Sequence, residues 1–221
     1  MAVTSDELRV TLSAGLTFLK LNLTEAQVAQ LLEFLELIAK WSQIYNLTSV
    51  RDPAEMMTHH LLDSLACVPA LQSHLHMTGS EKGSCLLDVG SGAGLPGVII
   101  AICCPTVKVT CVDTVGKKAA FIKQAAISLK LENLKGLHSR VENITQSFDV
   151  VCSRAFASLE DFTTLSVKAL GPRGVWMAMK GKHPTDELVA LPNTISMFHV
   201  EQLQVPGLTA ERCIVWLQPV S

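Results

Sequence analysis

The run Asp88-Val-Gly90-Ser-Gly92-Ala-Gly94-Leu-Pro-Gly97 constrains this chain more than any other stretch. It follows the apolar pentapeptide Cys85-Leu-Leu-Asp-Val and precedes a second apolar run, Val98 to Cys104. A short strand that turns through glycines into a helix opens a βαβ unit. Glycine is needed where the chain turns sharply and where backbone must approach a ligand with no Cβ in the way. Pro96 suits the start of the helix that follows.

The texture on either side extends this reading. Before residue 78 the chain is helical. Thr24-Glu-Ala-Gln27 is a capping box, followed by Val28, Leu31, Leu32, Leu35 and Ile38 on one face. Asp52-Pro53-Ala54-Glu55 is a second helix start, continued by Leu61, Leu62 and Leu65. After a break near Gly79 to Gly83, strands are expected at 107–113, 134–138, 148–152, 174–179, 195–205 and 212–217, with helices at 117–131 and 158–170. Alternating strands and helices predict an α/β, Rossmann-like domain over 79–221, with helices on both faces of a mostly parallel sheet, preceded by a helical extension over 1–78.

Hydrophobic residues make up 48% and charged residues 17%, enough apolar material for one large core. The longest apolar stretch is far short of the ~20 residues of a membrane span, so no membrane partner is expected. Residues 1–20 have no apolar export signal and carry Asp6 and Glu7, which predicts a cytoplasmic protein. None of the seven cysteines forms a C-x-x-C pair. They read as small buried hydrophobes in a reducing compartment, and no metal is expected. A net charge of −2 means that any nucleic-acid partner must be met by a local patch.

The glycine loop reads in two registers. Gly92-x-Gly94-x-x-Gly97 fits the dinucleotide fingerprint, with Asp113 placed 21 residues beyond Gly92 to hold a ribose. That leaves a nicotinamide-dependent oxidoreductase open. In the other register, Asp88-x-Gly90-x-Gly92-x-Gly94 resembles the S-adenosylmethionine-dependent methyltransferases, a resemblance that makes S-adenosylmethionine the cofactor. That cofactor carries an ammonium and no pyrophosphate. An acid at the loop, Asp88, helps hold the positive end directly or through water and would repel a pyrophosphate. Asp113 serves both registers.

Methyl transfer from a sulfonium is an in-line displacement, so the protein supplies alignment and desolvation. Exocyclic amine acceptors usually come with an Asn- or Asp-Pro-Pro-aromatic motif after the fourth strand. Here that strand runs Phe148-Asp-Val-Val-Cys152-Ser-Arg154 without one. Cys152 sits inside an apolar strand, which speaks against a thiolate nucleophile. What remains is an acceptor that is nucleophilic without losing a proton, such as guanine N7.

Several motifs occur in order: Trp41-Ser-Gln-Ile-Tyr-Asn46-Leu-Thr-Ser-Val-Arg51-Asp-Pro, His60-Leu-Leu-Asp-Ser64, the glycine loop with its Leu-Pro-Gly97 tail, Ser153-Arg-Ala-Phe-Ala-Ser158, Met179-Lys-Gly181 and Glu211-Arg212. Together they closely resemble the bacterial 16S ribosomal RNA guanine-N7 methyltransferases, the glucose-inhibited division protein B family, over nearly the whole chain. The resemblance implies a methyltransferase fold with an antiparallel last strand. It implies methylation of a guanine N7 in 16S ribosomal RNA of the small subunit. It carries cofactor contacts to Gly90, Leu95, Val141, Glu142 and Arg154, joined by Gly92, Gly94, Asp88 and Asp113 from the general pattern, with Arg154 also as the catalytic residue. Members often have Arg at the position of His59 and His at that of Cys213; the first departure lowers positive charge near the N-terminal segment at neutral pH, and the second implies that a His at 213 is not required for chemistry.

Tyr45, Asn46, Arg51 and Lys180 are the candidates for RNA contact, with Lys117, Lys118, Lys123 and Lys130 on an acid-free helix. His59, His60 and Asp63 invite a base, and His59 and Asp63, one helical turn apart, could pair; the proposed chemistry needs no base. A non-catalytic ribosome-binding protein on the same scaffold is the second alternative.

Overall fold

The computed structural model describes residues 3–154, 156 and 158–220. Four segments build the N-terminal part: α1 (Ser5–Phe18), α2 (Glu25–Tyr45), a helix in three pieces, and α5 (Val68–Met77). Both expected helix starts are present. Thr24 and Gln27 cap each other across the first turn of α2, and the Asp52 side chain accepts from the Ala54 and Glu55 amides. A second capping box, Thr4 with Glu7, starts α1. It was not singled out in the sequence, where the Thr-x-x-Glu spacing alone carried it.

The three-piece helix departs from expectation. After α3 (Pro53–Met56) the chain winds as a π-helix over Met57–Leu62 and returns to α4 (Asp63–Leu65). Regular α-helical spacing assumed for His59 and Asp63 therefore fails, and the two do not pair.

Seven strands follow: β1 (Cys85–Val89), β2 (Lys108–Asp113), β3 (Leu134–His138), β4 (Phe148–Ser153), β5 (Leu170–Lys180), β6 (Ile195–Leu203) and β7 (Arg212–Pro219). They form one sheet in the order β3-β2-β1-β4-β5-β7-β6. β1 to β5 pair in parallel, and β7 runs antiparallel to both β5 and β6. The strand order reverses between β1 and β4, the place where open α/β sheets bind ligands beyond the strand carboxyl ends. Because β7 is reversed, its first residue, Arg212, starts at that same edge.

Side chains alternate across the sheet, as strand geometry requires. Leu86, Val109, Val150 and Met177 face one layer, and Leu87, Val112, Val151 and Trp176 the other. The first layer holds α6 (Gly97–Cys103) and α7 (Gly116–Ser128) together with the N-terminal helices. Leu12, Phe34, Ile38 and Leu61 share one apolar core with Leu86, Ile99 and Ile122. Phe34 stacks on Phe121 with ring centroids 6.1 Å apart. Two glutamines of α2 fix the join: Gln27 donates to the Ile102 carbonyl and Gln30 to the Leu129 carbonyl, each at 2.7 Å. The second layer holds α8 (Leu159–Ser166), capped by Ser158. Among the described residues no helix is long and apolar enough to cross a membrane.

Candidate functional site

The loop after β1 is the first wall of the site. Gly90, Gly92 and Gly94 all have positive φ, +67°, +58° and +79°. A Cβ on Gly90 would meet nothing within 4 Å, so open space stands over the turn. Gly97 is different in kind. A Cβ there would lie 2.3 Å from the Cys111 Sγ and 2.8 Å from Asp88 Oδ2, so its glycine is a packing requirement.

A cavity of about 400 Å³ opens over this turn, lined by Gly90, Asp113, Val141 and Glu142 among others. Asp113 is buried at the end of β2. Its Oδ2 accepts from the Gly92 amide at 2.9 Å and Oδ1 from the Val115 amide at 2.8 Å. Each carboxylate oxygen has a second lone pair for a ligand hydroxyl. Val141 and Glu142 begin a 3-10 turn after β3, where the leading amides have no partner inside the turn.

Asp88, Gly92, Gly94 and Leu95, expected as cofactor contacts, are not among the residues that line this cavity. Asp88 is fully buried beneath the loop, and its Oδ2 accepts from the Gly97 amide at 2.9 Å. Its Oδ1 has no partner. Burial pushes its carboxyl up to about 6, against the opposing effect of the Gly97 bond. Leu95 packs into the core, and its amide with that of Gly94 closes the turn on the Ser91 carbonyl. Asp88 and Leu95 shape the loop from below.

A second cavity, about 500 Å³, lies along the same sheet edge and is lined by Glu55, His59, His60, Asp63, Arg154, Lys180, Arg212 and Cys213 among others. Arg154, just after β4, faces this cavity rather than the first. Its Nη1 donates to the His59 carbonyl at 3.1 Å and Asp63 Oδ2 at 3.2 Å. Arg212 Nε donates to Asp63 Oδ1 at 2.8 Å. Lys180 reaches both Glu187 oxygens, at 3.1 and 2.7 Å. His60 bonds Thr48 Oγ1 through Nε2 at 2.7 Å, and burial, with Arg154 nearby, lowers its ring below the usual histidine range.

Tyr45, Asn46 and Arg51 are not among the residues that line either cavity. Asn46 is the left-handed C-cap of α2, and Arg51 donates to its side chain and to the Ser42 carbonyl. An arginine spent on a helix C-terminus, where cations are favoured, is less free for phosphate. Tyr45 remains exposed, packed beside Trp41, with the Lys117 ammonium 5.5 Å from its ring centre. Cys152 is fully buried and its thiol is raised well above the usual value by burial, so it is no nucleophile. Among the described residues no cluster of His, Cys, Asp and Glu fits a metal ion.

Comparison with known proteins completes the picture. The family model for GidB, rRNA small subunit methyltransferase G, matches residues 27–215. The chain belongs to this family. A ribosomal RNA small subunit methyltransferase G of Polaromonas naphthalenivorans is 73% identical over the full length of both chains. One from Acidovorax sp. (strain JS42) is 63% identical, covering 95% of each. Among solved structures, TrmN from Thermus thermophilus aligns with a TM-score of 0.52 at 19% identity, over 67% of this chain and 48% of that one. A SAM-dependent methyltransferase from Aquifex aeolicus gives 0.51 at 18%, over 67% and 89%. These two share the fold. Family membership makes the chain a methyltransferase and removes support from the nicotinamide and non-catalytic readings of the glycine loop.

Proposed function

We propose that this protein transfers the methyl group of S-adenosylmethionine to N7 of a guanine in 16S ribosomal RNA of the small subunit. The observation that carries the reading is a pair of cavities at one sheet edge, one over the glycine turn and one lined by Arg154, Lys180 and Arg212.

The residues of the first cavity fit the cofactor. The space over Gly90 would be filled by any Cβ, Asp113 offers lone pairs to ribose hydroxyls, and the orphaned Asp88 Oδ1 supplies negative potential under the loop. Val141 and Glu142 present backbone and carboxylate to the adenine side. The sulfonium, once bound, supplies an activated methyl group, so the chain has only to align and desolvate the acceptor. The second cavity supports an RNA acceptor: its cations suit phosphates, and a ring nitrogen with a free lone pair needs no thiolate. A small-subunit RNA substrate also supports a cytoplasmic location.

The test is transfer of labelled methyl to small ribosomal subunits from cells lacking the gene, with protein-free 16S ribosomal RNA alongside. Label that maps to a guanine N7 is the expected result. Binding of S-adenosylmethionine without label in either RNA form would remove this substrate.

A further inference from the structure

Asp63 occupies an unusual electrostatic position. It is 5% exposed and gives one carboxylate oxygen to each of two guanidiniums. The three residues come from distant parts of the chain: Asp63 from the turn after the π-helix, Arg154 from the end of β4, Arg212 from the start of β7. All three line the same cavity. The arginine side chains keep 22% and 24% of their exposure.

One acid shared by two cations leaves one positive charge unmatched within the cluster. Nor are the donors used up. The hydrogen bonds formed among the described residues involve Nη1 of Arg154 and Nε and Nη1 of Arg212, out of five N–H groups on each guanidinium. An ion cluster of this kind is a poor way to add stability, because desolvation offsets most of the attraction. It is a good way to orient two forked donors. The π-helical turn contributes, since the His59 carbonyl accepts from the same Nη1 of Arg154, as does Ser64 Oγ at 3.4 Å.

We propose that Asp63 is a positioning residue that holds Arg154 and Arg212 side by side as a two-pronged receptor for the phosphodiester carrying the target nucleotide. The proposal rests on the reading of the chain as an RNA methyltransferase. Asp63 touches neither cofactor nor base; it acts through the arginines, and a misplacement of about 1 Å at such a clamp is enough to slow transfer strongly.

The experiment compares wild type, Asp63→Asn, Arg212→Gln and the double variant on small ribosomal subunits lacking the modification. Wild type is measured first, and if it transfers no label the RNA methyltransferase reading fails, independently of Asp63. For Asp63→Asn, kcat should fall at least tenfold, with S-adenosylmethionine affinity by calorimetry within threefold of wild type. Equilibrium binding to the subunit should be no weaker and its salt dependence steeper, because an acid has been removed from between two cations. In the Arg212→Gln background the same substitution should cost several-fold less than in wild type, as expected for residues acting together. Unchanged kcat, or equal costs in the two backgrounds, would overturn the proposal. So would parallel loss of subunit binding and folded fraction, the mark of a purely structural brace. If Asp63→Asn does not fold, Arg212→Gln decides: kcat reduced at least threefold at unchanged thermal unfolding is expected, and wild-type turnover would overturn the idea.

Discussion

Glycines of one loop do different jobs, and substitution separates them. Gly97→Ala puts a methyl group against the Cys111 sulfur and Asp88, so it should cost about 1–3 kcal/mol in urea unfolding. Gly90→Ala meets no atom within 4 Å and carries only the strain of a left-handed backbone, about 1 kcal/mol. Its methyl group enters the open cavity, so calorimetry should show weakened S-adenosylmethionine binding in a protein of nearly normal stability. Asp88 gives a pH signature. Its folded carboxyl titrates near 6, above the ordinary 3.8, so the folded state holds the extra proton between these values. Stability from this group is therefore present at low pH and lost as pH rises from about 4 to 6, by about 3 kcal/mol. Asp88→Asn retains an acceptor for the Gly97 amide and should flatten that part of the cofactor-free stability curve, measured against wild type at pH 4.5 and 7. The loop itself was legible because glycine spacing is local. The burial of Asp88 was not, because only the packed sheet shows which way its side chain turns.

At the scale of elements, caps and apolar runs carried most of the reading. The Thr24 and Asp52 starts and the β1 strand appear where residue patterns placed them, and the antiparallel ending is the one the family resemblance implied. Thr24→Ala should cost about 1 kcal/mol in chemical denaturation, the usual loss for an N-cap hydroxyl. What the pattern could not show is the π-helix over Met57–Leu62, since six residues are little more than one turn, too short for a change of period to register in the hydrophobic spacing. Its consequence reaches the site, because it removes the His59–Asp63 pairing that α-helical spacing suggests and leaves Asp63 for the arginines. Arg51 carries a similar ambiguity. A cation after a helix reads equally as a phosphate contact or a C-cap, and the structure puts its guanidinium on the side chain of the left-handed Asn46 beside it.

For the whole molecule, the sequence motifs marked which segments matter, but their meeting is tertiary. Residues 63, 154 and 212 lie far apart in the chain, and the sheet order with its reversed last strand brings them to one edge. The N-terminal helices close the second cavity and also complete the core over α6 and α7. Removal of residues 1–78 would uncover Ile99, Ile100 and Phe121, all fully buried. Such a fragment should be aggregation-prone and lack cooperative thermal unfolding, where an independent module would melt sharply.

The stacking of Phe34 on Phe121 and the two glutamine bonds from α2 also bear on inheritance. A helical extension that lines both the second cavity and the core cannot be exchanged between relatives as a cassette. Its inner face must match the helices it lands on. A chimera with a distant relative's first 78 residues should fold only when the α6 and α7 contacts travel with them.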